Sequence, residues 1–391
     1  MAGEPLRGIK VIELGHVMAG PVCGRMLADL GADVIKVEPP TGDPSRSFAV
    51  SGGAGANEAF AMLNRGKRGI VLDLKSEKGR AALRRLTNQC DVLIENFRPG
   101  VMKGMSLGFD DLRSTNAGLI YCQITGFGTE GPLGEHGGFD LIAQGMTGFL
   151  SVTGEGGDGP PVKSGPPVTD ITAGILGALG VVSALFAREK SGLGQRVDTS
   201  LYQAGAFHML WHGAIALATG QAPGALGSAH PLAAPYQAFR TSDGWITVGG
   251  SNQATWERLA DAVGRPGLVH DERFVSNADR VRNRIALADL LEEGFAEATT
   301  GEWLDRLRAA KVPAGPVLSV PDMLAHPQSR ANRTVIPVTG TDASTLGLPV
   351  SLSGADPPAP SPAPELGADT RAVLAEHGFS ESEIASLLRT Q

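Results

Sequence analysis

GIKVIELGHVMAGPVCGRMLADLGADVIKVE (residues 8–38) opens with the apolar run IKVIEL (9–14). It passes through a glycine-containing amphipathic stretch to Leu30 and closes on DVIKVE (33–38). Two short β-branched runs separated by a helical pattern make a βαβ unit. The rhythm continues outward through GIVLDL (69–74), a helix beginning near Ser76 with Leu83 and Leu86 on one face, DVLIEN (91–96) and GLIYCQITG (118–126). Short apolar strands spaced by helices predict a parallel sheet covered on both faces, so the fold class is α/β, doubly wound.

The uncharged run ITAGILGALGVVSALFA (171–187) sits between Asp170 and Arg188. Its length is at the lower limit for a membrane span, and its closely spaced glycines and alanines suit a helix packed against protein on all sides. GQRVDTSL (194–201) reads as a strand leading into another apolar helix, on which His208 and His212 stand four residues apart. The texture then changes to the Gly-, Ala- and Pro-rich run 221–235, which reads as a linker. YQAFRTSDGWITVGG gives two strands around a turn at Ser242 to Gly244, followed by helical patterns at Gln253–Ala262, Arg284–Ala298 and Gly301–Ala310. The expected organisation is a large domain over 1–220, a smaller α+β domain over 225–330, and a linker with a C-terminal return over 331–391. Within that last part the proline-rich run 349–364 reads as an extended surface connector, and Ser380 with Glu383 forms a capping box for the final helix.

A chain of 391 residues exceeds the usual single-core limit of about 250–300, which is the reason to expect two domains. Glycine stands out at 53 residues, against a typical share of about 7%, so ligand contacts made partly by main chain are expected. The formal net charge of −7 argues against a nucleic-acid-binding surface and requires any anionic ligand to meet a local basic cluster. Cys23, Cys90 and Cys122 lie far apart and offer neither a disulfide framework nor zinc spacing. A reducing compartment fits them, and the N-terminal run has no apolar stretch behind a basic start, so the cytoplasm is the expected address.

Several short motifs fail on context. Gly104 to Gly108 satisfies GxSxG, yet no strand runs directly into it. His208 and His212 lack the glutamate of HExxH and lie in apolar surroundings, which favours a structural pair over zinc ligands. Neither GxGxxG after the first strand nor GxxxxGK[ST] is present, so no metal, nicotinamide or flavin is expected. What remains is GPPVKSGPPVTDITAGILGALG (159–180), where proline-rich chain delivers Asp170 to the start of a helix. Asp is a favoured N-cap, and a helix N-terminus also keeps a carboxylate ionised and nucleophilic. The capping and chemical readings are compatible.

The runs 8–46, NRGKRGIVLDL (64–74), DVLIENFRPG (91–100), IYCQITGFGTEGP (120–132), GGFDLIAQGMTG (137–148), VTDITAG (168–174) and GQRVDTSL (194–201) together resemble the class III CoA-transferase family, which includes formyl-CoA and carnitine CoA-transferases. The match runs in order across nearly the whole chain. The run HPLAAPYQAFRTSDGWITVGGSN (230–252) is most similar to the branch that moves CoA from succinyl-CoA to glutarate and related dicarboxylates.

That resemblance implies a Rossmann-like large domain and a homodimer of two interlocked rings. It also implies an acyl-CoA donor and a carboxylic acid acceptor as partners, with coenzyme A entering as acyl-CoA substrate. Asp170 falls at the family's catalytic aspartate, which attacks the thioester to give a mixed anhydride and then carries CoA as an aspartyl thioester. His16, Val17 and Ala19 fall where the first turn meets CoA, and Asn96 and Phe97 where the CoA channel is lined. Lys36, Arg98 and Lys103 are basic candidates for the phosphates. His230, Tyr236 and Arg240 are candidates for facing the acceptor acid, and spacing leaves open which does, as it leaves open whether Gly249 to Ser251 closes as a lid. Two departures stand out. Phe139 occupies the position of a base in the related 2-methylacyl-CoA racemases and often of a tyrosine in transferases, and it cannot shuttle a proton, so the role of Asp140 beside it is open. Gly104 occupies the place of a phosphate-binding arginine. The alternatives are a 2-methylacyl-CoA epimerase, disfavoured by Phe139, and a non-catalytic acyl-CoA-binding protein, disfavoured by Asp170.

Overall fold

The computed structural model describes residues 3–48, 58–157, 159–355 and 359–389. Contacts divide the chain into two units. The first comprises 1–149, 164–210 and 327–391, and the second 150–163 and 211–326.

The first unit is built on a six-stranded sheet: β1 (Lys10–Glu13), β2 (Asp33–Glu38), β3 (Arg68–Val71), β4 (Val92–Glu95), β5 (Ile120–Thr125) and β6 (Arg196–Ser200). All neighbours pair in parallel, in the order β3-β2-β1-β4-β5-β6. The order reverses between β1 and β4, so the loops that follow those two strands flank the crevice where open α/β sheets bind ligands. Two apolar layers cover the sheet. One is formed by Val11, Val34, Val92 and Ile120 with Cys23 and Leu27 of helix Ala19–Asp29 and Ala178, Val181 and Leu185 of the long helix Val168–Ser191. The other is formed by Ile12, Ile35, Leu93 and Tyr121 with Leu83 and Leu86 of helix Glu77–Thr87. Val373, Leu374, Ile384 and Leu387 join it, because the C-terminal helices Thr370–Glu376 and Glu381–Leu388 return to this unit.

Helix Glu77–Thr87 begins next to Ser76 as expected, with the Ser76 side chain capping it, and Ser380 caps the final helix in the capping box that the sequence predicts. The long helix is packed on one face only. Gly174 lets it approach helix Ala19–Asp29 so closely that a Cβ there would lie 2.7 Å from the Ala19 carbonyl oxygen. Its opposite face presents Ile175, Leu179, Val182 and Phe186 to solvent, which corrects the expectation of packing on all sides. By length and apolar composition the helix is also long enough to cross a membrane. The predicted single helix carrying both His208 and His212 breaks at His208–Met209 into Leu201–Phe207 and Leu210–Thr219, so the two histidines do not share a helix face.

The second unit holds a three-stranded antiparallel sheet, β7 (Tyr236–Arg240), β8 (Trp245–Gly249) and β9 (Ala314–Pro316), in that order. Its core gathers Phe239, Ile246, Trp256, Leu291, Phe295 and Trp303. Among the described residues of the run 349–364 none is in a helix or strand, and Asp356, Pro357 and Pro358 lie outside the described residues.

Candidate active site

The loops after β1 and β4 are joined by one side chain. Asn96 Oδ1 accepts from the His16 amide at 2.8 Å, and Asn96 Nδ2 donates to the His16 carbonyl at 3.0 Å. The His16 ring meets Phe97 edge to face with centroids 5.2 Å apart, and burial holds the imidazole below its ordinary pKa. The sequence-predicted residues His16, Asn96 and Phe97 therefore come together at the reversal of strand order.

Val17 follows with φ of +62°, a left-handed conformation that costs a β-branched residue about 1–3 kcal/mol and persists where surroundings impose it. Its amide donates to both carboxylate oxygens of Asp43, at 3.3 and 3.2 Å. Ala19, fully buried, then begins helix Ala19–Asp29, whose N-terminus no side chain caps.

Lys36 has a role other than the phosphate contact expected of it. Its side chain is wholly buried, and Nζ donates to the Gly15 carbonyl at 2.8 Å, to Asp43 Oδ2 at 3.0 Å and to Glu13 Oε1 at 3.3 Å. Burial disfavours the charge, but the Glu13 and Asp43 carboxylates outweigh it and raise the lysine above its ordinary pKa. An ammonium with all its protons committed below the surface has none for a phosphate. Sequence reasoning also missed Lys67, whose Nζ lies 2.7 Å from Glu13 Oε2 and which burial pulls down to about 8. Gly24 makes room for this arrangement, since a Cβ there would fall 1.8 Å from Glu13 Oε2. The remaining basic candidates, Arg98 and Lys103, are exposed, with no carboxylate in ion-pair contact among the described residues, and Arg98 lies against Gly137.

Asp170 is the third residue of helix Val168–Ser191 and does not cap it. The cap comes from Asp140, at the start of helix Asp140–Met146. Asp140 Oδ1 accepts from the Thr169 amide at 3.0 Å and from Thr169 Oγ1 at 2.7 Å, while Oδ2 accepts from Gln144 Nε2 at 2.7 Å. Gln144 Oε1 in turn takes the Ser164 amide at 3.0 Å, tying down the proline-rich approach to the helix. Asp170 itself is half-buried, and its carboxyl accepts no hydrogen bond among the described residues. Burial, with the charge of Asp140 added, pushes its pKa up to about 7. Burial and the neighbouring carboxylate thus both oppose the ionisation that a helix N-terminus favours. Phe139 beside this pair is three-quarters exposed, at 75%.

His208 Nε2 is 2.9 Å from Thr172 Oγ1. His230 and Tyr236 belong to the second unit, where their rings pack with centroids 5.4 Å apart and the His230 amide donates to the Tyr236 carbonyl at 3.0 Å. In the same unit the Gly249 and Gly250 amides donate to the carbonyls of Pro313 and Pro235, at 2.9 and 2.8 Å. Arg280, fully buried, donates to the carbonyls of Ala234, Phe274, Val275 and Ser251. Among the described residues no cluster of three or more His, Cys, Asp or Glu side chains is placed to hold a metal ion.

A half-buried carboxyl raised toward neutrality, with no donor among the described residues and with the charge of a second carboxylate acting on it, is the feature of this site suited to acid–base or nucleophilic chemistry. The chain belongs to CoA-transferase family III, whose model matches residues 6–370. As a CoA-transferase it takes CoA thioesters as substrates. It is 38% identical to the succinate–glutarate CoA-transferase of Agrobacterium fabrum, over 95% of each chain. It is likewise 38% identical to the acetyl-CoA:oxalate CoA-transferase of Acetobacter aceti, over 97% of each. The crystal structure of a CAIB/BAIF family protein from Brucella suis superposes with a TM-score of 0.85 at 39% identity, covering 95% of this chain and 99% of that one.

Proposed function

We propose that the enzyme transfers CoA from succinyl-CoA to a C4 to C5 dicarboxylate, the kind of acid for which the similar succinate–glutarate CoA-transferase of Agrobacterium fabrum is named. The observation that carries the mechanism is the Asp170 carboxyl, half-buried, without a donor among the described residues and raised toward neutrality. Ionised, it attacks the thioester carbonyl and releases CoA thiolate, leaving a succinyl–aspartyl anhydride. The thiolate attacks the aspartyl carbonyl of that anhydride and expels succinate, giving an aspartyl-CoA thioester. The acceptor carboxylate attacks the aspartyl carbonyl of this thioester, expelling CoA thiolate and forming an acceptor–aspartyl anhydride, and the thiolate then attacks the acceptor's acyl carbon, giving its CoA ester and expelling the Asp170 carboxylate. A carboxylate suits this work because an anhydride between two carboxylic acids preserves the activation of the thioester, and no oxidant or net proton is required.

The homodimer of interlocked rings is part of the same reading. Its support is the apolar stripe Ile175, Leu179, Val182 and Phe186 on the long helix, together with Leu217, 92% exposed on helix Leu210–Thr219. Surfaces of this kind mark protein interfaces, and light scattering that returned a monomer would remove the ring reading. Three buried, unpaired cysteines support a cytoplasmic location.

The test is incubation with succinyl-CoA and a panel of glutarate, mesaconate, itaconate, malate, oxalate and carnitine, following new acyl-CoA by chromatography, with Asp170→Asn alongside. One acceptor giving its CoA ester with the wild type and none with the variant is the expected result. Exchange of the α-proton of a 2-methylacyl-CoA without any transfer would overturn it.

A further inference from the structure

The chain that leads into Asp170 is held by a side chain to which the chemistry above gives no task. Gln144 follows Asp140 by one turn on helix Asp140–Met146, on the same face, and is fully buried. Its Oε1 accepts from the Ser164 amide at 3.0 Å, and because a main-chain N–H can only donate, the Gln144 nitrogen must face the other way. There Nε2 donates to Asp140 Oδ2 at 2.7 Å. Asp140 Oδ1 takes the Thr169 amide at 3.0 Å and the Thr169 hydroxyl at 2.7 Å, so every group on this carboxyl donates, and a carboxylate serves them all. Ser164–Gln144–Asp140–Thr169 is therefore a closed bridge, both ends of which lie on the segment entering helix Val168–Ser191. Between the two anchors run Gly165, Pro166, Pro167 and Val168, stiffened by the prolines. Glutamine alone suits the middle of this bridge. Methionine has neither function, asparagine is a methylene shorter, and glutamate has a donor only when protonated.

We propose that Gln144 is a positioning residue for the transfer: by bridging Asp140 to Ser164 it fixes the carboxylate that caps Thr169, and with it the place and the electrostatic setting of the Asp170 carboxyl. The role of Asp170 in this statement rests on the transferase reading, whereas the bridge does not. Being fully buried, Gln144 acts through Asp140 rather than on a substrate. With Oδ1 and Oδ2 each engaged by a different partner, Asp140 keeps one orientation, and its charge stays beside Asp170. Helix Val168–Ser191 packs against helices Ala19–Asp29, Asp140–Met146 and Leu201–Phe207 and against β5 and β6. The charged residues on those elements are Arg25, Asp29, Asp140, Arg196 and Asp198. Arg25 faces Asp29 and Arg196 pairs with Asp198, which leaves Asp140 as the charge that bears on Asp170.

The test compares wild type, Gln144→Met and Gln144→Glu by steady-state transfer at pH 6 and pH 8, each rate taken relative to the wild type at the same pH, with circular dichroism confirming the fold. Methionine matches glutamine in length and makes neither bond. Gln144→Met is expected to lower kcat about tenfold or more at both pH values while KM for succinyl-CoA stays within about threefold, the split given by a displaced reacting group. In Gln144→Glu the protonated side chain has one donor and one acceptor for the same two partners, and ionised it sets a second negative charge against Asp140. A carboxyl buried beside another carboxylate keeps its proton toward neutral pH. The relative kcat of Gln144→Glu is therefore expected within about threefold of unity at pH 6 and about tenfold or more lower at pH 8. A glutamine that only filled space would give neither result. Wild-type kcat in folded Gln144→Met, or a relative rate of Gln144→Glu that does not fall between the two pH values, overturns the proposal. Should either variant not fold, Ser164→Pro, which removes the amide proton at the outer end of the bridge, is expected to lower kcat severalfold at unchanged KM, and wild-type kcat there overturns it equally. A wild type that transfers no CoA defeats the transferase reading. Hydrogen exchange at the Ser164 amide, expected to lose protection about tenfold in Gln144→Met with β1 and β4 unchanged, then decides the bridge alone.

Discussion

Two aspartates of the same unit sit in opposite circumstances. Asp43 is buried among the donors of Val17, Ser45 and Lys36, and although burial works against ionisation, Lys36 and Ser45 pull its carboxyl down to about 2. Asp170 is less buried, receives no donor among the described residues, and is pushed up to about 7 by burial and by Asp140. The residue type is identical and the peptide context comparable, since each stands at the beginning of a helical turn. What separates them is whether the lone pairs are spoken for. A carboxylate whose acceptors are all used holds geometry, and one whose acceptors are empty remains available to a substrate.

The comparison breaks most visibly if Asp170 proves dispensable. Asp170→Asn is isosteric but has no nucleophilic oxygen of comparable strength, and turnover is expected to fall about 10³-fold or more. Rates of acyl-CoA formation check this, and retention of more than a few per cent of activity would make Asp170 a bystander. Next in size, removal of one member of the buried pair leaves an uncompensated charge. Lys36→Met is therefore expected to lower unfolding free energy by about 3–5 kcal/mol in urea titrations, a larger loss than any exposed pair gives. A loss under about 1 kcal/mol would mean that water reaches the cluster.

The parallel sheet was legible because its strands are covered on both faces, so Ile35, Val37, Leu93, Ile94 and Tyr121 print as continuous apolar runs. Ser76 and Ser380 were legible because capping is local. The three-residue strands Val335–Pro337 and Ser344–Leu346 were not, being too short to show a period. Nor was the break at His208, where apolar residues run through both helices. In the site, Asp170, His16, Asn96 and Phe97 could be named from motif order. The burial of Lys36 could not, because a lysine on a strand reads as solvent-facing until its carboxylate partners, one on β1 and one in the following loop, are seen to converge on it. The capping of Thr169 by Asp140 spans 29 residues, and no local pattern announces it.

A smaller effect tests how Asp140 acts. Asp140→Asn can keep the bond from Thr169 through its remaining oxygen while losing the charge. Because that charge raises the Asp170 pKa, the acid limb of kcat/KM is expected to move to lower pH. An unmoved limb with a reduced plateau would assign Asp140 to helix placement alone.

The smallest effect is thermodynamic and separates the two aspartates without any substrate. A carboxyl near 7 in the native state and about 3.9 in the unfolded chain keeps its proton on folding over that window, so stability is greatest below 3.9 and declines as pH rises to 7. Asp170→Asn has no such proton and escapes the decline. The variant should therefore match the wild type near pH 4 and exceed it at pH 8, by about 1–2 kcal/mol once solvent screening of a half-buried group is allowed for. Asp43 runs the other way. Its contribution is present above about 3.9 and is lost only as pH falls toward 2, so the destabilisation in Asp43→Asn should be constant from pH 5 to 8. Paired melts of both variants at pH 5 and pH 8 read the two slopes directly. If the Asp170→Asn advantage is the same at both values, the carboxyl is not held near neutrality, and the contrast between the two sites must rest on geometry alone.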